Sequence, residues 1–304
     1  MLARNMLSAP LIPYLTLPEL VLLPAGALGG FPAAPLSFKP FGMLVATGVY
    51  LGAYLTLRRA RRLGLDERVM SSFIAWGVGV GFVGAHVLDE VFYYPQRLLD
   101  DPWSLLRLWD GLSSFGGFTG GVIGMLIWRA RNRVPVLPYA DNMMSMLPVG
   151  WAFGRAGCSI AHDHPGLLSE AWFTVQYPGG GRFDLGLLEL CLTIPLALGF
   201  LWLARKPRPW GFFSALACVS YAPLRFALDF LREREAVPGD VHGAIDPRYF
   251  GLTPAQWECF ALLALGIYLL RQLLSAVARG GGYERPQVPE AFGAAGRLPS
   301  HSKT

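Results

Sequence analysis

The sequence predicts an all-α polytopic membrane protein of about seven transmembrane helices, with an N-terminal surface arm and outward-facing polar loops. Three observations carry this. Of the 304 residues, 53% are hydrophobic and 15% charged, against about 25% charged in soluble domains. Apolar runs of 17–22 residues recur along the chain, enough for a helix to cross a hydrocarbon core of about 30 Å. Basic residues gather in short clusters beside those runs, as topology signals do.

Residues 1–40 begin like a signal peptide, but Pro10, Pro13, Pro18 and Pro24 interrupt the run, which a helical segment tolerates badly. They read as an extended or short-helical arm on the membrane surface. The transmembrane domain is 41–274. Its expected spans are 41–57, 71–88, 112–128, 142–160, 185–203, 211–231 and 253–274. Gly116, Gly117, Gly120, Gly121 and Gly124 in the third place G-x-x-x-G pairs where a neighbouring helix packs closely. The connections 89–110 and 161–184 read as polar loops, the first with the aromatic residues of an interface. A tail over 275–304, rich in Gly and Pro from Arg279 onward, is expected to be disordered and cytoplasmic.

The loops after spans one, three and five hold Arg58, Arg59, Arg61, Arg62, Arg68, Arg129, Arg131, Arg133, Arg205, Lys206 and Arg208. Those after spans two, four and six are less basic and mixed with acids. The positive-inside rule then puts the N-terminus outside and the C-terminus in the cytoplasm, and the polar clusters converge on the outer leaflet.

Several functions are excluded or disfavoured. Cys158, Cys191, Cys218 and Cys259 stand singly, so no disulfide framework and no zinc spacing is indicated, and no metal is expected. No nucleotide loop or serine-hydrolase elbow occurs, so no cofactor is expected. The net charge of +5 follows membrane topology and not nucleic-acid binding. A transporter is weakly supported, because no inverted repeat is evident and the charges gather at one face.

The stretch 150–166, G-W-A-F-G-R-A-G-C-S-I-A-H-D-H-P-G, carries the densest chemistry. Arg155 ends an apolar run, where a charge needs an anion or must snorkel. Gly154 and Gly157 flank it without side-chain bulk, and His162, Asp163 and His164 follow. Together they suit an anionic head group. Arg225, Asp229 and Arg232 recur at i, i+4 and i+7 on one helical face, with an excess of positive charge that suits a phosphate. Glu189, near the outer end of the fifth span, can pair with Arg155 or with Arg225. His86 ends the second span, and a structural hydrogen-bonding role suits it better than that of a base.

These features, in this order, resemble the prolipoprotein diacylglyceryl transferase family. Its signature G-R-x-G-N-x-x-N-x-E-x-x-G is similar to 154–166, where Gly154, Arg155, Gly157 and Gly166 match, Asp163 replaces glutamate, and Cys158 and Ala161 replace asparagines. Further matches are G-A-H…V-F-Y-Y-P (84–95), L-W-D-G-L-S-S-F-G-G (108–117), L-R-F-A-L-D-F-L-R-E (224–233) and L-T-P-A-Q (252–256). The chain also departs from the pattern. The histidine of S-F-H-G-G is read as falling on Gly116, H-P-S-Q-L-Y-E becomes F-D-L-G-L-L-E at 183–189, and an expected tyrosine is Phe41.

The resemblance implies transfer of a diacylglyceryl group from phosphatidylglycerol to the lipobox cysteine of a lipoprotein precursor, in a bacterial inner membrane. It implies Arg155 and Arg225 at the leaving phosphate; with the family's histidines replaced, a base is still needed to make the thiolate, and His162 or His164 is expected to serve. Gly154, Gly157, Asp163, Glu189, Asp229, Arg232 and His86 are expected to bind substrate. The alternative is an inactive relative that binds anionic lipid or lipoprotein precursors without transfer, which the lost histidines and tyrosine favour.

Overall fold

The computed structural model describes residues 12–23, 36–108, 111–234 and 247–280. In chain order come strands β1 (Leu20–Leu23) and β2 (Leu36–Phe38), then helices α1 (Pro40–Leu63), α2 (Glu67–Phe92) and α3 (Pro95–Asp100). A 3-10 turn at Pro102–Leu106 leads to α4 (Ser114–Asn132), α5 (Val136–Met144) and α6 (Leu147–Ala161). Strands β3 (Pro165–Leu168), β4 (Val175–Tyr177) and β5 (Gly180–Asp184) precede α7 (Leu185–Leu203). Helix α8 (Phe212–Leu228) tightens into a 3-10 turn at Asp229–Leu231, and α9 (Pro254–Ala278) follows.

Helices dominate, as expected. Among the described residues, five are long and apolar enough to cross a membrane: α1, α2, α7, α8 with its 3-10 turn, and α9. The third expected span is α4, whose glycines and terminal Arg129 and Arg131 dilute its apolar character. The fourth is two helices, not one. Pro148 sits in the first turn of α6, and its missing N–H and ring clash disfavour a continuous helix through this point.

The contacts group the chain into two compact units, one of residues 1–52, 146–203 and 223–246, the other of 53–145, 204–222 and 247–304. In the first, β1 pairs antiparallel with β2, Leu20 opposite Phe38. The arm also touches the second sheet, where Gln176 N–H donates to Ile12 O at 2.9 Å. Leu15, Leu17, Leu20 and Val21 are exposed. The polar loop expected at 161–184 is a three-stranded antiparallel sheet in the order β3-β5-β4. Its strands are three to five residues long, too short to leave a period-two signal.

In the second unit the core gathers Val69, Met70, Phe73, Trp128 and Tyr139, all fully buried. Helices α2 and α4 cross on glycine, so the expected close packing is seen. A Cβ on Gly84 would lie 2.7 Å from Gly120 Cα, and one on Gly120 would lie 2.7 Å from Val80 O. Arg59, counted above with a basic loop, is instead buried because α1 continues to Leu63. Its guanidinium donates to Asn142 Oδ1 at 3.0 Å and lies 4.7 Å over the Phe213 ring.

Helix α9 is ordered through Ala278. The disorder expected of the tail concerns 281–304, outside the described residues. So do 1–11 and 24–35 of the arm, and Trp109 and Asp110 of the L-W-D-G motif.

Candidate active site

The arginines and carboxylates singled out in the sequence form one buried network in the first unit. Helices α6 and α7 meet where Gly186 lies against Cys158, since a Cβ on Gly186 would come within 2.8 Å of the Cys158 carbonyl carbon. One turn along α7, Glu189 thereby reaches α6. Its Oε1 is 2.9 Å from Arg155 Nε and accepts from Trp151 Nε1 at 3.1 Å. Its Oε2 faces Arg225 Nε at 3.8 Å. Glu189 therefore pairs with both arginines that the sequence left as alternatives.

The network continues along α8. Arg225 Nη1 donates to Asp229 Oδ1, and Arg232 Nε lies 2.9 Å from the same oxygen. Arg232 is not on the helix: the chain tightens at Asp229–Leu231 and leaves Arg232 extended, at φ −66° and ψ 139°. Three guanidiniums thus gather around the Glu189 and Asp229 carboxylates. All five side chains are 13% exposed or less. Deleting one partner of such a buried set strands a charge, at a cost of about 3–5 kcal/mol, and intramembrane charges are functional by default.

The signature glycines have separate reasons. Gly157 admits Phe41, whose ring carbon would lie 3.0 Å from a Cβ there. Gly166 admits the backbone around Leu231, with Leu231 O 2.7 Å from such a Cβ, and it bridges to Arg232. Gly154 meets nothing within 4 Å and faces open space.

The histidines part company. His162 caps α6 in the left-handed region at φ 52°. Its Nδ1 is 2.6 Å from Asp184 Oδ2, its Nε2 is 3.1 Å from Leu15 O, and its ring stacks on Tyr14 at 4.0 Å. Tyr177 donates its hydroxyl to the same Asp184 oxygen at 2.9 Å. Burial and the Asp184 carboxylate push that phenol far above its usual range. His162 thus ties the arm to the sheet. His164 is partly exposed and turns Nδ1 to Asp163 O at 2.6 Å. Burial pushes its imidazole below the usual histidine range; the Asp163 carboxylate opposes this, and the Arg232 and Arg155 guanidiniums add to it.

His86 belongs to the second unit, where both ring nitrogens are taken up locally. Nδ1 is 3.1 Å from Gly111 O and Nε2 is 3.0 Å from Ser104 O. It staples the 3-10 turn and the following loop to α2, a structural part. One turn on, Glu90 accepts from Ser104 Oγ at 2.9 Å and from Arg97 Nε at 3.1 Å.

The motif reading at Gly116 needs correction. Set against S-F-H-G-G residue by residue, Phe115 takes the histidine's place and Gly116 matches a glycine. Position 116 has no room for a side chain, because its Cβ would meet Gly84 O and Ala85 Cα.

Sequence reasoning missed Trp151, Asp184, Tyr177, Arg182 and Glu233. Arg182 Nη1 donates to Gly166 O at 3.1 Å and to Glu233 Oε2 at 2.5 Å, fastening the sheet to the turn that carries Arg232. Only the arginine–aromatic spacing of Trp151 and Arg155, one helical turn apart, was a usable signal in the sequence.

The family model for prolipoprotein diacylglyceryl transferase matches residues 30–272. A phosphatidylglycerol–prolipoprotein diacylglyceryl transferase of Vibrio parahaemolyticus is 31% identical over 262 residues, covering 84% of this chain and 92% of its own. One from Pseudoalteromonas atlantica is 29% identical over 245 residues, covering 79% and 86%. The match spans both units and every residue of the ion-paired network. The chain belongs to the prolipoprotein diacylglyceryl transferase family.

Proposed function

We propose that this multi-pass membrane protein transfers a diacylglyceryl group from phosphatidylglycerol to the lipobox cysteine of a lipoprotein precursor. The observation that carries this is Glu189 held between Arg155 and Arg225, which brings two guanidiniums from different helices to one buried carboxylate. Guanidinium binds phosphate oxygens in bidentate fashion, and preset charge at a leaving group is a large contribution to such a step. The family relationship supplies the substrate class.

In the proposed reaction the substrate thiol loses its proton, and the thiolate attacks the glyceryl carbon that bears the phosphate. A carbon–sulfur bond forms, the carbon–oxygen bond breaks, and glycerol phosphate leaves with the electron pair. Arg155 and Arg225 offset the charge growing on that phosphate. Glu189 and Asp229 orient the guanidiniums, and Arg232 adds charge at the rim. Of the two candidate bases, His164 fits better. Donation from its Nδ1 to Asp163 O leaves a lone pair on Nε2, whereas both nitrogens of His162 face acceptors. Gly154, open on one side, borders the space for the lipid, and Gly157 and Asp163 complete its walls. His86 is assigned no contact with substrate.

In this reading α4 and the α5–α6 pair are also embedded in a bacterial inner membrane, with the N-terminus outside and the C-terminus in the cytoplasm, as the arginine clusters favour. Lipid then enters laterally from the outer leaflet, and the lipobox cysteine arrives on its own membrane segment.

The test is transfer itself. Purified protein in detergent is mixed with phosphatidylglycerol and a lipobox peptide, and peptide mass and released glycerol phosphate are followed. A diacylglyceryl mass gain that Arg155→Ala abolishes is expected. No gain in folded protein that still binds the lipid sinks the proposal in favour of a relative that binds without transfer.

A further inference from the structure

We propose that Cys158, Asp163 and His164 form a binding site for a thiophilic divalent cation, zinc foremost, at the edge of the arginine network. The Cys158 sulfur, an Asp163 carboxylate oxygen and a ring nitrogen of His164 lie within 4.8 Å of one another. Ligands at 2.0–2.3 Å around a tetrahedral ion stand roughly 3.5 Å apart, so the three need close by little more than an ångström.

The fold builds this cluster from residues whose spacing matches no metal motif. His162 N–H donates to Cys158 O at 2.9 Å, and His162 takes the left-handed conformation. The chain therefore doubles back, and the two residues after the cap return over Cys158. Asp163 Oδ1 is shielded from solvent and accepts no hydrogen bond. His164 Nδ1 is 3.1 Å from it but is turned to Asp163 O at 2.6 Å. A shielded carboxylate oxygen without a donor is costly, and a cation removes that cost.

The donor set points to the kind of ion. One thiolate, one imidazole and one carboxylate suit zinc and disfavour magnesium or calcium, which take oxygen ligands. Two anionic ligands offset the nearby Arg155 and Arg232. Three protein ligands also leave a fourth position open, as in reactive zinc centres. Arg155 Nη1 is 3.7 Å from Cys158 Sγ, so the site borders the guanidinium proposed to hold phosphate. An ion here takes the lone pair of His164, and zinc is expected to inhibit transfer. Only this last consequence rests on the proposed function.

The experiment titrates the full-length protein in detergent with Co²⁺, without lipid or peptide. One equivalent is expected to give a thiolate-to-cobalt charge-transfer band in the near ultraviolet, removed by Zn²⁺. Cys158→Asn, which restores the family residue, loses the band; Asp163→Asn weakens binding by at least ~10-fold. Cys191→Ser, at an exposed thiol, keeps it. No band in wild type, or a band that survives Cys158→Asn, overturns the inference. Circular dichroism and monodisperse elution establish that each variant is folded, and Asp163→Asn decides the matter if Cys158→Asn is not. A protein that binds cobalt but transfers nothing sinks the transfer reading alone; one that transfers and gives no band sinks this one alone.

Discussion

The guanidinium carbon of Arg155 lies 4.8 Å over the indole ring of Trp151, one helical turn before it, and Trp151 donates to the same Glu189 oxygen that Arg155 contacts. Cation–π contact contributes about 0.5–2 kcal/mol. Trp151→Leu is therefore expected to lower kcat/KM for transfer by about 2- to 30-fold. Trp151→Phe keeps the ring without the N–H and falls between. Equal rates in wild type and Trp151→Leu would show that the indole does not position the arginine.

Glu189 meets arginines from two helices, Arg155 of α6 and Arg225 of α8. Glu189→Ala leaves both guanidiniums without their shared counter-ion and is expected to cost about 3–5 kcal/mol of stability. It should be visible as a fall of several degrees in the melting midpoint in detergent. Glu189→Gln keeps the shape and some hydrogen bonding, so its loss is smaller. Matching midpoints for wild type and Glu189→Ala would mean the network adds nothing to the fold.

Two glycines should behave in opposite ways. Gly186→Ala drives a methyl to within 2.8 Å of α6 backbone; overpacking of this kind costs about 1–3 kcal/mol, and transfer should fall with stability. Gly154→Ala meets nothing within 4 Å and is expected to stabilise α6 by about 0.5–1 kcal/mol. A larger residue, Gly154→Leu, should leave stability intact and weaken phosphatidylglycerol binding in a lipid-overlay or fluorescence titration. Undiminished lipid binding by Gly154→Leu would remove Gly154 from the site.

The two histidines are separable by experiment. His164→Gln is expected to lower kcat at least ~10-fold while phosphatidylglycerol binding is kept, as for loss of a general base. His162→Gln should instead expose residues 12–15 to limited proteolysis, because Leu15 O and the Tyr14 ring lose their partner. If the proteolysis pattern changes in His164→Gln and not in His162→Gln, the assignment is reversed.

Helical periodicity made Arg225 and Asp229 legible in the sequence, since i, i+4 neighbours meet on any helix. Arg155 and Arg225 stood as alternatives for Glu189, and that it meets both was not legible, because this depends on α6 and α7 touching at Gly186, a contact between distant residues. The break before α6 was signalled by Pro148, yet the apolar run passed over it. The sheet at 165–184 left no alternation in strands so short. Cys158, Asp163 and His164 stayed hidden for another reason: only the left-handed turn at His162 folds a seven-residue stretch into a cluster.

The backbone of the arm finds a partner in the middle segment of the first unit, with Leu15 O held by a side chain 147 residues later. At synthesis rates of 5–20 residues per second, that partner emerges roughly 7 to 30 s after the arm itself. The arm is thus made well before it can be seated. Assembly of the first unit therefore waits for residues of the sheet and its preceding helix to reach back to a segment made well before them.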